Sequence, residues 1–189
     1  MMSSILTNDL LTALKSRERL TLHLPEYRHA AVLVGFTDEP NPRVLLTVRS
    51  LDLPSHQGQI SFPGGKIEAG ETIIEAALRE AEEEVGLDPS QVKVHGLWDD
   101  TFTPQGFHVT PVIVTLPPDY PYTLTPEVAE ILLVPVSDLQ NLSPETLTRE
   151  FKGRTHLIYT YPWQGHRIWG MTGRIIHGVL HPHLHPREY

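Results

Sequence analysis

The stretch from Gly65 to Leu87 constrains the fold of this chain more than any other part of the sequence. It begins as a glycine-containing loop and continues as a segment whose apolar residues recur at helical spacing. Thr72, followed three positions later by Glu75, forms a capping-box pattern that predicts the start of the helix. Gly86 is placed where a left-handed residue can end it. The apolar residues of this predicted helix are Ile74, Ala77, Leu78, Ala81 and Val85.

Three glutamates, Glu80, Glu83 and Glu84, lie together on another face of the same predicted helix, because residues three and four apart are neighbours. Crowded carboxylates repel one another and therefore destabilise a helix unless a cation neutralises them. Mg²⁺ prefers oxygen ligands and often takes a few carboxylates together with the phosphate oxygens of a substrate. A solvated acidic surface and a divalent-metal site are the two interpretations of this face.

The spacing of the stretch resembles the Nudix box, G-x5-E-x7-R-E-U-x-E-E-x-G-U, in which U is a bulky aliphatic residue. Ala81 is smaller than the usual aliphatic residue, which affects packing rather than chemistry. The resemblance implies an α/β/α sandwich with a mixed β-sheet between helices, and hydrolysis of a diphosphate that is linked to another chemical group. The matching residues are Gly65, Glu71, Arg79, Glu80, Glu83, Glu84, Gly86 and Leu87.

The resemblance also implies a metal site and a catalytic base. Glu80, Glu83 and Glu84 would hold Mg²⁺ or Mn²⁺, and we expect the carbonyl of Gly64 to join them. Such ions bridge phosphate oxygens and lower the pKa of bound water. Glu83 or Glu127 is expected to orient or deprotonate the attacking water. Glu127 follows a proline in a loop, and its alternative role is to complement the positive end of a helix.

Other residues of the box are expected to be structural. In the family, the arginine at the Arg79 position pairs with the glutamate at the Glu71 position, and this pair holds the loop to the helix. Gly65 and Gly86 are expected to allow the backbone conformations that the loop and the helix end require.

A second motif stands upstream of the box and ends at its glycines. The spacing of Thr47-Val-Arg49-Ser50, Pro54, Gly58 and Phe62-Pro63-Gly64-Gly65 resembles the additional signature of Nudix coenzyme A pyrophosphatases. That signature has a basic residue where this chain has Pro54, so a cation that could recognise a substrate phosphate is missing. The resemblance implies hydrolysis of coenzyme A to phosphopantetheine and adenosine 3′,5′-bisphosphate.

Three residues, Arg49, Phe62 and Phe107, are expected to contact the substrate. Arg49 could bind a phosphate, or it could form an ion pair at the surface. Trp98, Phe102 and Phe107 could stack on an adenine, and packing in the core is the alternative for at least two of these aromatic residues.

Two other functions are compatible with the box. The enzyme could hydrolyse another nucleoside diphosphate derivative, such as ADP-ribose, and dependence on the 3′-phosphate would distinguish coenzyme A from it. The chain could also be a Nudix-fold binding module without turnover, although such a module has no need for all three metal carboxylates.

Composition narrows the classes of partner. The net charge of −8 argues against a broad nucleic-acid surface. The absence of cysteine excludes disulfides and zinc–thiolate sites and fits a reducing cytosol. No long apolar run appears, and charged residues interrupt the N-terminal region, so neither a membrane span nor a signal peptide is expected. We therefore expect a cytoplasmic protein that binds a small diphosphate.

The length of 189 residues suits one domain with short extensions. Residues 1–25 are expected to be an N-terminal helical extension, whose helix (5–19) packs on the domain or on a second subunit of a homodimer. Residues 26–180 are expected to be the Nudix hydrolase domain. Residues 181–189, which contain alternating histidines, are expected to be a C-terminal tail.

Three local expectations complete the sequence interpretation. The helix of the box is expected to lie against one edge of the sheet. Pro111, inside an apolar strand at 107–116, argues for an edge strand or a bulge because proline cannot donate a backbone hydrogen bond. Residues 144–150 are expected to form helical turns.

Overall fold

The computed structural model of the protein describes residues 5–183. Within these residues, no helix is both long and apolar enough to cross a membrane. The helices are α1 (Ile5–Ser16), α2 (Ile73–Val85), α3 (Val136–Asn141) and α4 (Gly170–Leu180), with a 3₁₀ turn at Pro89–Gln91. The strands are β1 (Arg28–Thr37), β2 (Arg43–Arg49), β3 (Ile60–Ser61), β4 (Gly64–Lys66), β5 (Lys93–Leu97), β6 (Thr101–Thr103), β7 (Phe107–Leu116), β8 (Val128–Pro135), β9 (Glu145–Phe151), β10 (Arg154–Trp163) and β11 (His166–Ile168).

The main sheet is mixed, as the sequence predicted, and β1 is its central strand. β1 pairs with β7 in parallel along its whole length, and the other pairings of this sheet are antiparallel. The strand order is β3-β2-β1-β7-β5, while β4, β6 and β8 pair with β1, β7 and β2, respectively. A smaller antiparallel sheet has the order β11-β10-β9.

β1 supplies side chains to both faces of the main sheet, which explains why its sequence is a continuous apolar run. Val32 and Val34 lie in one hydrophobic core, whereas Ala31 and Leu33 lie in the other. Residues of α1 and α4 complete the first core, and residues of α2 complete the second. These three layers confirm the predicted α/β/α sandwich.

α2 packs across the centre of the sheet, so the expectation that it lies against one edge is wrong. Ala77 and Ala81 share a core with Ala31 and Leu33 of β1 and with Val112 of β7. The apolar stripe of the helix has to be covered by the most apolar strands, and these are the central ones. The small alanine side chains let the helix come close to the sheet.

The ends of α2 are those that the sequence predicted. The Thr72 side chain accepts a hydrogen bond from the Glu75 backbone (3.2 Å), and the Thr72 backbone donates to the Glu75 carboxylate (2.8 Å). Gly86 ends the helix in the left-handed region, with φ 68° and ψ 24°. A Cβ at Gly86 would also lie 2.3 Å from the hydroxyl of Thr123, so glycine is required there for two reasons.

Pro111 lies in β7, which has β1 on one side and β5 and β6 on the other, so the expected edge position is wrong. The backbone N–H of Trp98, between β5 and β6, donates to the Pro111 carbonyl (2.8 Å). Because the N–H and C=O of one strand residue point to the same side, the missing N–H faces the junction between β5 and β6. The pairing with β1 therefore loses no hydrogen bond.

The helical turns expected at 144–150 are also wrong, because β9 occupies this segment. Six of its seven residues are exposed, so local hydrophobic patterning gives little indication of a strand. The strand forms because β10 offers an antiparallel partner along the whole of β9.

α1 packs on the domain, which is one of the two alternatives that the sequence left open. Leu10 and Ala13 are each only 1% exposed within the first core, so this chain itself covers the apolar face of the helix. The described part of the predicted extension, residues 5–25, is therefore part of the packed structure. The predicted tail at 181–189 is described only as far as His183, and the rest of it lies outside the described residues.

Asp100 fixes the segment that follows α1. Its carboxylate is 2% exposed and accepts hydrogen bonds from the side chains of Arg19 (2.5 Å) and Thr110 (2.7 Å) and from the backbone of Leu22 (3.0 Å). The ring nitrogen Nε2 of His108 lies 2.8 Å away. Burial alone would raise the pKa of Asp100, but these hydrogen bonds outweigh it and lower the pKa.

Replacing this carboxylate should destabilise the fold strongly. We expect Asp100→Ala to lower the free energy of unfolding by about 3 kcal/mol or more, because it leaves several buried donors without their acceptor. Glu145→Ala, which removes an exposed ion pair to Arg167, is the control and should change it by no more than about 0.5 kcal/mol. Denaturant titration measures both, and equal effects would contradict the prediction.

Candidate active site

Arg79, in the middle of α2, holds the segment that precedes the helix. This segment, residues 64–72, begins with β4 and is called the glycine loop below. The Nε and Nη2 of Arg79 donate to the two carboxylate oxygens of Glu71 (2.7 and 3.1 Å), and this bidentate pair lowers the pKa of Glu71. Nη2 also donates to the carbonyl of Lys66 (3.0 Å), while Nη1 donates to Glu80 (2.9 Å) and Glu83 (3.4 Å). The structure therefore contains the Arg79–Glu71 pair that the sequence predicted.

Gly64 and Gly65 lie where side chains would collide with their surroundings. In β4 they pair with Val32 and Ala31 of β1. A Cβ on Gly64 would lie 2.3 Å from the carbonyl oxygen of Ala31, and a Cβ on Gly65 would lie 2.4 Å from the carboxylate of Glu80. Glycine is therefore required at position 64, where the obstacle is backbone, whereas a side chain at position 65 would displace the Glu80 carboxylate; the backbone of the loop lies directly against this acidic side chain of α2.

Glu84 carries a strongly perturbed carboxylate. Burial, together with the nearby charges of Glu80 and Glu127, raises its pKa to about 8, although a backbone hydrogen bond from Gly64 and the charge of Arg49 oppose the shift. Burial likewise raises the pKa of Glu80. Ionising these groups at neutral pH costs free energy that a bound cation would offset.

Glu83 and Glu127 are the exposed members of the acidic group. The side chain of Glu83 is 60% exposed. Glu127 is far away in the sequence, yet its charge acts on both Glu80 and Glu84. The backbone N–H of Ser50 donates to its carbonyl (2.9 Å), which holds this segment beside the end of β2. Because a strand follows Glu127, its alternative role at a helix N-terminus is wrong.

A cleft of about 910 Å³ adjoins this acidic group. One wall is apolar and includes Ala30, Val32 and Phe62 from the first core. The backbone of Gly64 and Gly65 also lines the cleft. This volume lies in the range of pockets that bind cofactor-sized ligands. The glycine loop therefore has the cleft on one side and the carboxylates of α2 on the other.

The cleft is basic although the chain is acidic. Among its described lining residues there are five lysines and arginines and one carboxylate, from a chain that has 15 basic and 23 acidic residues. A third of the cations are thus concentrated around one opening, which favours an anionic ligand. The five cations are Arg28, Arg49, Lys66, Arg149 and Arg174, and the carboxylate is Glu150.

Comparison with known proteins identifies the family. A family model described as the NUDIX domain matches residues 27–164. This chain belongs to the Nudix hydrolase family. It is 44% identical over 153 residues to an uncharacterized Nudix hydrolase, NudL, of Photorhabdus laumondii, an alignment that covers 79% of this chain and 82% of that protein. It is 37% identical over 180 residues to NudL of Escherichia fergusonii, covering 92% and 93% of the two chains.

Solved structures confirm the Nudix fold. The Nudix hydrolase RenU from M. smegmatis superposes with a TM-score of 0.52 at 24% identity, covering 60% of this chain and 73% of RenU. An Ap4A hydrolase of C. elegans in a binary complex superposes with a TM-score of 0.51 at 22% identity, covering 58% of this chain and 82% of that protein.

Nudix hydrolases typically use a divalent metal, and the donors of this site are chemically suited to one. Glu80 and Glu84 supply hard carboxylate oxygens that burial makes costly to ionise without a cation. In the part of the chain that the structure describes, no three histidine, aspartate or glutamate side chains form a ready-made metal cluster. Arg79 instead holds Glu80 and Glu83. The metal roles of Glu80, Glu83, Glu84 and Gly64 stay predictions.

The three residues predicted to contact substrate have different surroundings. Arg49 lines the cleft and donates from Nε to the Ser55 carbonyl (2.8 Å), a contact that orders the following loop, and its role towards phosphate stays a prediction. Phe107 lines the cleft half-buried, with the guanidinium of Arg28 4.2 Å above its ring. Phe62 also lines the cleft but is 2% exposed, so its contribution is mainly to the core.

The loop that contains Pro54 places a polar ring in the cleft. His56, two positions later, adopts a left-handed backbone conformation with φ 59° and lines the cleft. Trp98, by contrast, is only 2% exposed and lies beneath the guanidinium of Arg17. It therefore packs in the core, which was the alternative to stacking on an adenine. Phe102 is half-buried and lines the cleft.

Four of the five cleft cations are not indicated by any sequence motif. Arg28, Lys66, Arg149 and Arg174 come from β1, β4, β9 and α4, and they share no motif or spacing. Only the folded topology brings them together. The one signal that sequence offers is that Lys66 directly follows the paired glycines of the box.

The raised pKa of Glu84 predicts a trade-off between stability and function. The pKa of Glu84 is about 8 in the fold but near 4.3 in the unfolded chain, so the contribution of this group to stability falls as pH rises between these values. In EDTA, Glu84→Gln should therefore raise the Tm by several degrees at pH 9 and leave it nearly unchanged at pH 4.

The control for this experiment is Glu82→Gln, which changes an exposed glutamate on the same helix. Differential scanning calorimetry at the two pH values should show no shift for this variant. A Tm of Glu84→Gln equal to or below that of the wild-type protein at pH 9 would contradict the burial of an uncompensated charge at Glu84.

Proposed function

We propose that the protein is a metal-dependent pyrophosphohydrolase that cleaves coenzyme A, or a derivative of it, into phosphopantetheine and adenosine 3′,5′-bisphosphate. The observation that carries this proposal is the basic cleft of an otherwise acidic chain, joined to the carboxylates of α2 through Gly64 and Gly65. Coenzyme A carries a diphosphate and a separate 3′-phosphate, so its charge matches several cations spread along one cleft.

The resemblance of the segment from Thr47 to Gly65 to the coenzyme A pyrophosphatase signature supports the same substrate. Arg49 belongs to that signature and lies in the cleft, where its charge also acts on Glu84. Four lysines and arginines other than Arg49 line the same cleft and can supply the cation that the signature lacks at Pro54.

Hydrolysis requires a water oxygen to bond to one phosphorus of the diphosphate while the bond from that phosphorus to the bridging oxygen breaks. The products are two phosphomonoesters, and the proton lost by the water needs an acceptor. Glu83 and Glu127 are the candidate acceptors because both are exposed beside the more buried Glu80 and Glu84. Mg²⁺ or Mn²⁺ held by Glu80, Glu83, Glu84 and the Gly64 carbonyl would neutralise phosphate charge and lower the pKa of the water.

Two rival functions predict different behaviour. A hydrolase of ADP-ribose or a similar nucleoside diphosphate derivative would not need the cations that lie beyond the diphosphate. A binding module without turnover would not need a half-buried carboxylate at Glu84, whose burial costs stability.

Comparison of three substrates tests the proposal. The values of kcat/KM for coenzyme A, dephospho-coenzyme A and ADP-ribose should be measured with Mg²⁺, with EDTA-treated reactions as blanks and chromatography to identify products. We expect coenzyme A to exceed dephospho-coenzyme A by roughly tenfold or more, because loss of the 3′-phosphate leaves a charge-assisted contact unmade. ADP-ribose as the preferred substrate would favour the first rival, and no hydrolysis of any of the three would favour the second.

A further inference from the structure

The cleft contains a cluster of aromatic rings that the motifs do not account for. The rings of Phe102 and Phe151 stack with centroids 5.7 Å apart at an interplanar angle of 28°, and the ring of His156 meets Phe102 edge-on at 5.3 Å. All three line the cleft and are only half-buried. Four of the five phenylalanines of the chain line the cleft: Phe62, Phe102, Phe107 and Phe151.

Two separate parts of the chain build this aromatic cluster. Phe102 comes from β6, whereas Phe151 and His156 flank the turn between β9 and β10. The rings of the β9–β10 hairpin therefore form part of the wall of the cleft. Anchoring the hairpin explains why Phe102 and Phe151 touch, but packing alone would favour burying these rings fully.

Cations accompany the rings. The guanidinium of Arg28 lies 4.2 Å above the neighbouring ring of Phe107, and Arg149 lines the cleft two residues before Phe151. Flat aromatic surface next to positive charge is the combination that binds the base and phosphate of a nucleotide. The pantetheine arm of coenzyme A offers neither a ring nor a charge, so it does not match this surface.

The strand register separates this region from the catalytic carboxylates. In β1, Arg28 is level with Phe107, whereas Val32 is level with Gly64. Four residues of a strand span about 13 Å. A nucleoside 5′-phosphate in an extended conformation can bridge such a distance, with its phosphate near the glycine loop and its base near the rings.

We propose that the aromatic cluster of Phe102, Phe151 and His156 is the purine subsite of the cleft, and that Arg28 and Arg149 contact the phosphate carried by the ribose. This inference rests on the proposed function, because it assigns one end of that substrate to one end of the cleft. The β9–β10 hairpin would then determine substrate specificity. Arg28 and Arg149, from distant segments, would supply the positive charge that the signature lacks at Pro54.

Direct binding measurements test the subsite without turnover. Isothermal titration calorimetry on the full chain should compare adenosine 5′-monophosphate with ribose 5-phosphate, which differs from it only in lacking the base. Phe151→Leu should weaken the binding of adenosine 5′-monophosphate by roughly tenfold or more while leaving that of ribose 5-phosphate within about twofold. Leu147→Ala, on the same strand but outside the cleft lining, should change neither ligand.

A second pair of variants covers the charged part of the subsite and does not depend on ring packing. Arg149→Gln should weaken adenosine 3′,5′-bisphosphate by roughly tenfold and adenosine 5′-monophosphate much less. Arg167→Gln, an exposed arginine of β11 outside the cleft lining, is its control and should alter neither.

The outcomes separate this inference from the proposed function. Unchanged nucleotide binding in both Phe151→Leu and Arg149→Gln, or an equal loss of both ligands in Phe151→Leu, would overturn the subsite even if coenzyme A is hydrolysed. A loss of roughly tenfold in Phe151→Leu that is confined to the ligand with the base would support the subsite even if another nucleotide derivative proves to be the preferred substrate.

Discussion

The interaction on which the site depends is the contact of Arg79 with the carboxylates around it. Its guanidinium binds Glu71 with two hydrogen bonds, reaches Glu80 and Glu83, and holds the backbone at Lys66. This arrangement fixes the glycine loop to α2 and neutralises part of the acidic charge. It leaves Glu84 to rely on a backbone hydrogen bond and on the more distant charge of Arg49, and this deficit of positive charge is what a bound cation would correct.

The glycine loop separates the carboxylates of α2 from the basic cleft. The carboxylates of α2 approach it from the helix side, and the basic cleft opens on the other side. A Cβ at position 64 would collide with the Ala31 backbone, and one at position 65 would displace the Glu80 carboxylate, so the two glycines keep this separation short. Carboxylates that can hold a cation therefore lie close to lysine and arginine side chains that can bind phosphate. This arrangement suits a diphosphate substrate.

The sequence predicted the parts of the structure that local patterns encode. The capping box at Thr72, the left-handed Gly86, the Arg79–Glu71 pair and the mixed sheet are all present. It could not predict what depends on distant pairing. β9 is a strand only because β10 lies beside it, Pro111 is tolerated inside the sheet only because β5 and β6 leave a junction there, and the cleft cations converge only through topology.

We propose that the half-buried carboxylates of α2 hold a divalent cation beside the cleft. Titration of Mn²⁺ followed by electron paramagnetic resonance tests it most directly, with wild-type protein, Glu84→Gln and the same-helix control Glu82→Gln. The account predicts that Glu84→Gln weakens Mn²⁺ binding by at least about tenfold while Glu82→Gln binds like the wild-type protein. Equal Mn²⁺ affinity of Glu84→Gln and the wild-type protein would contradict it.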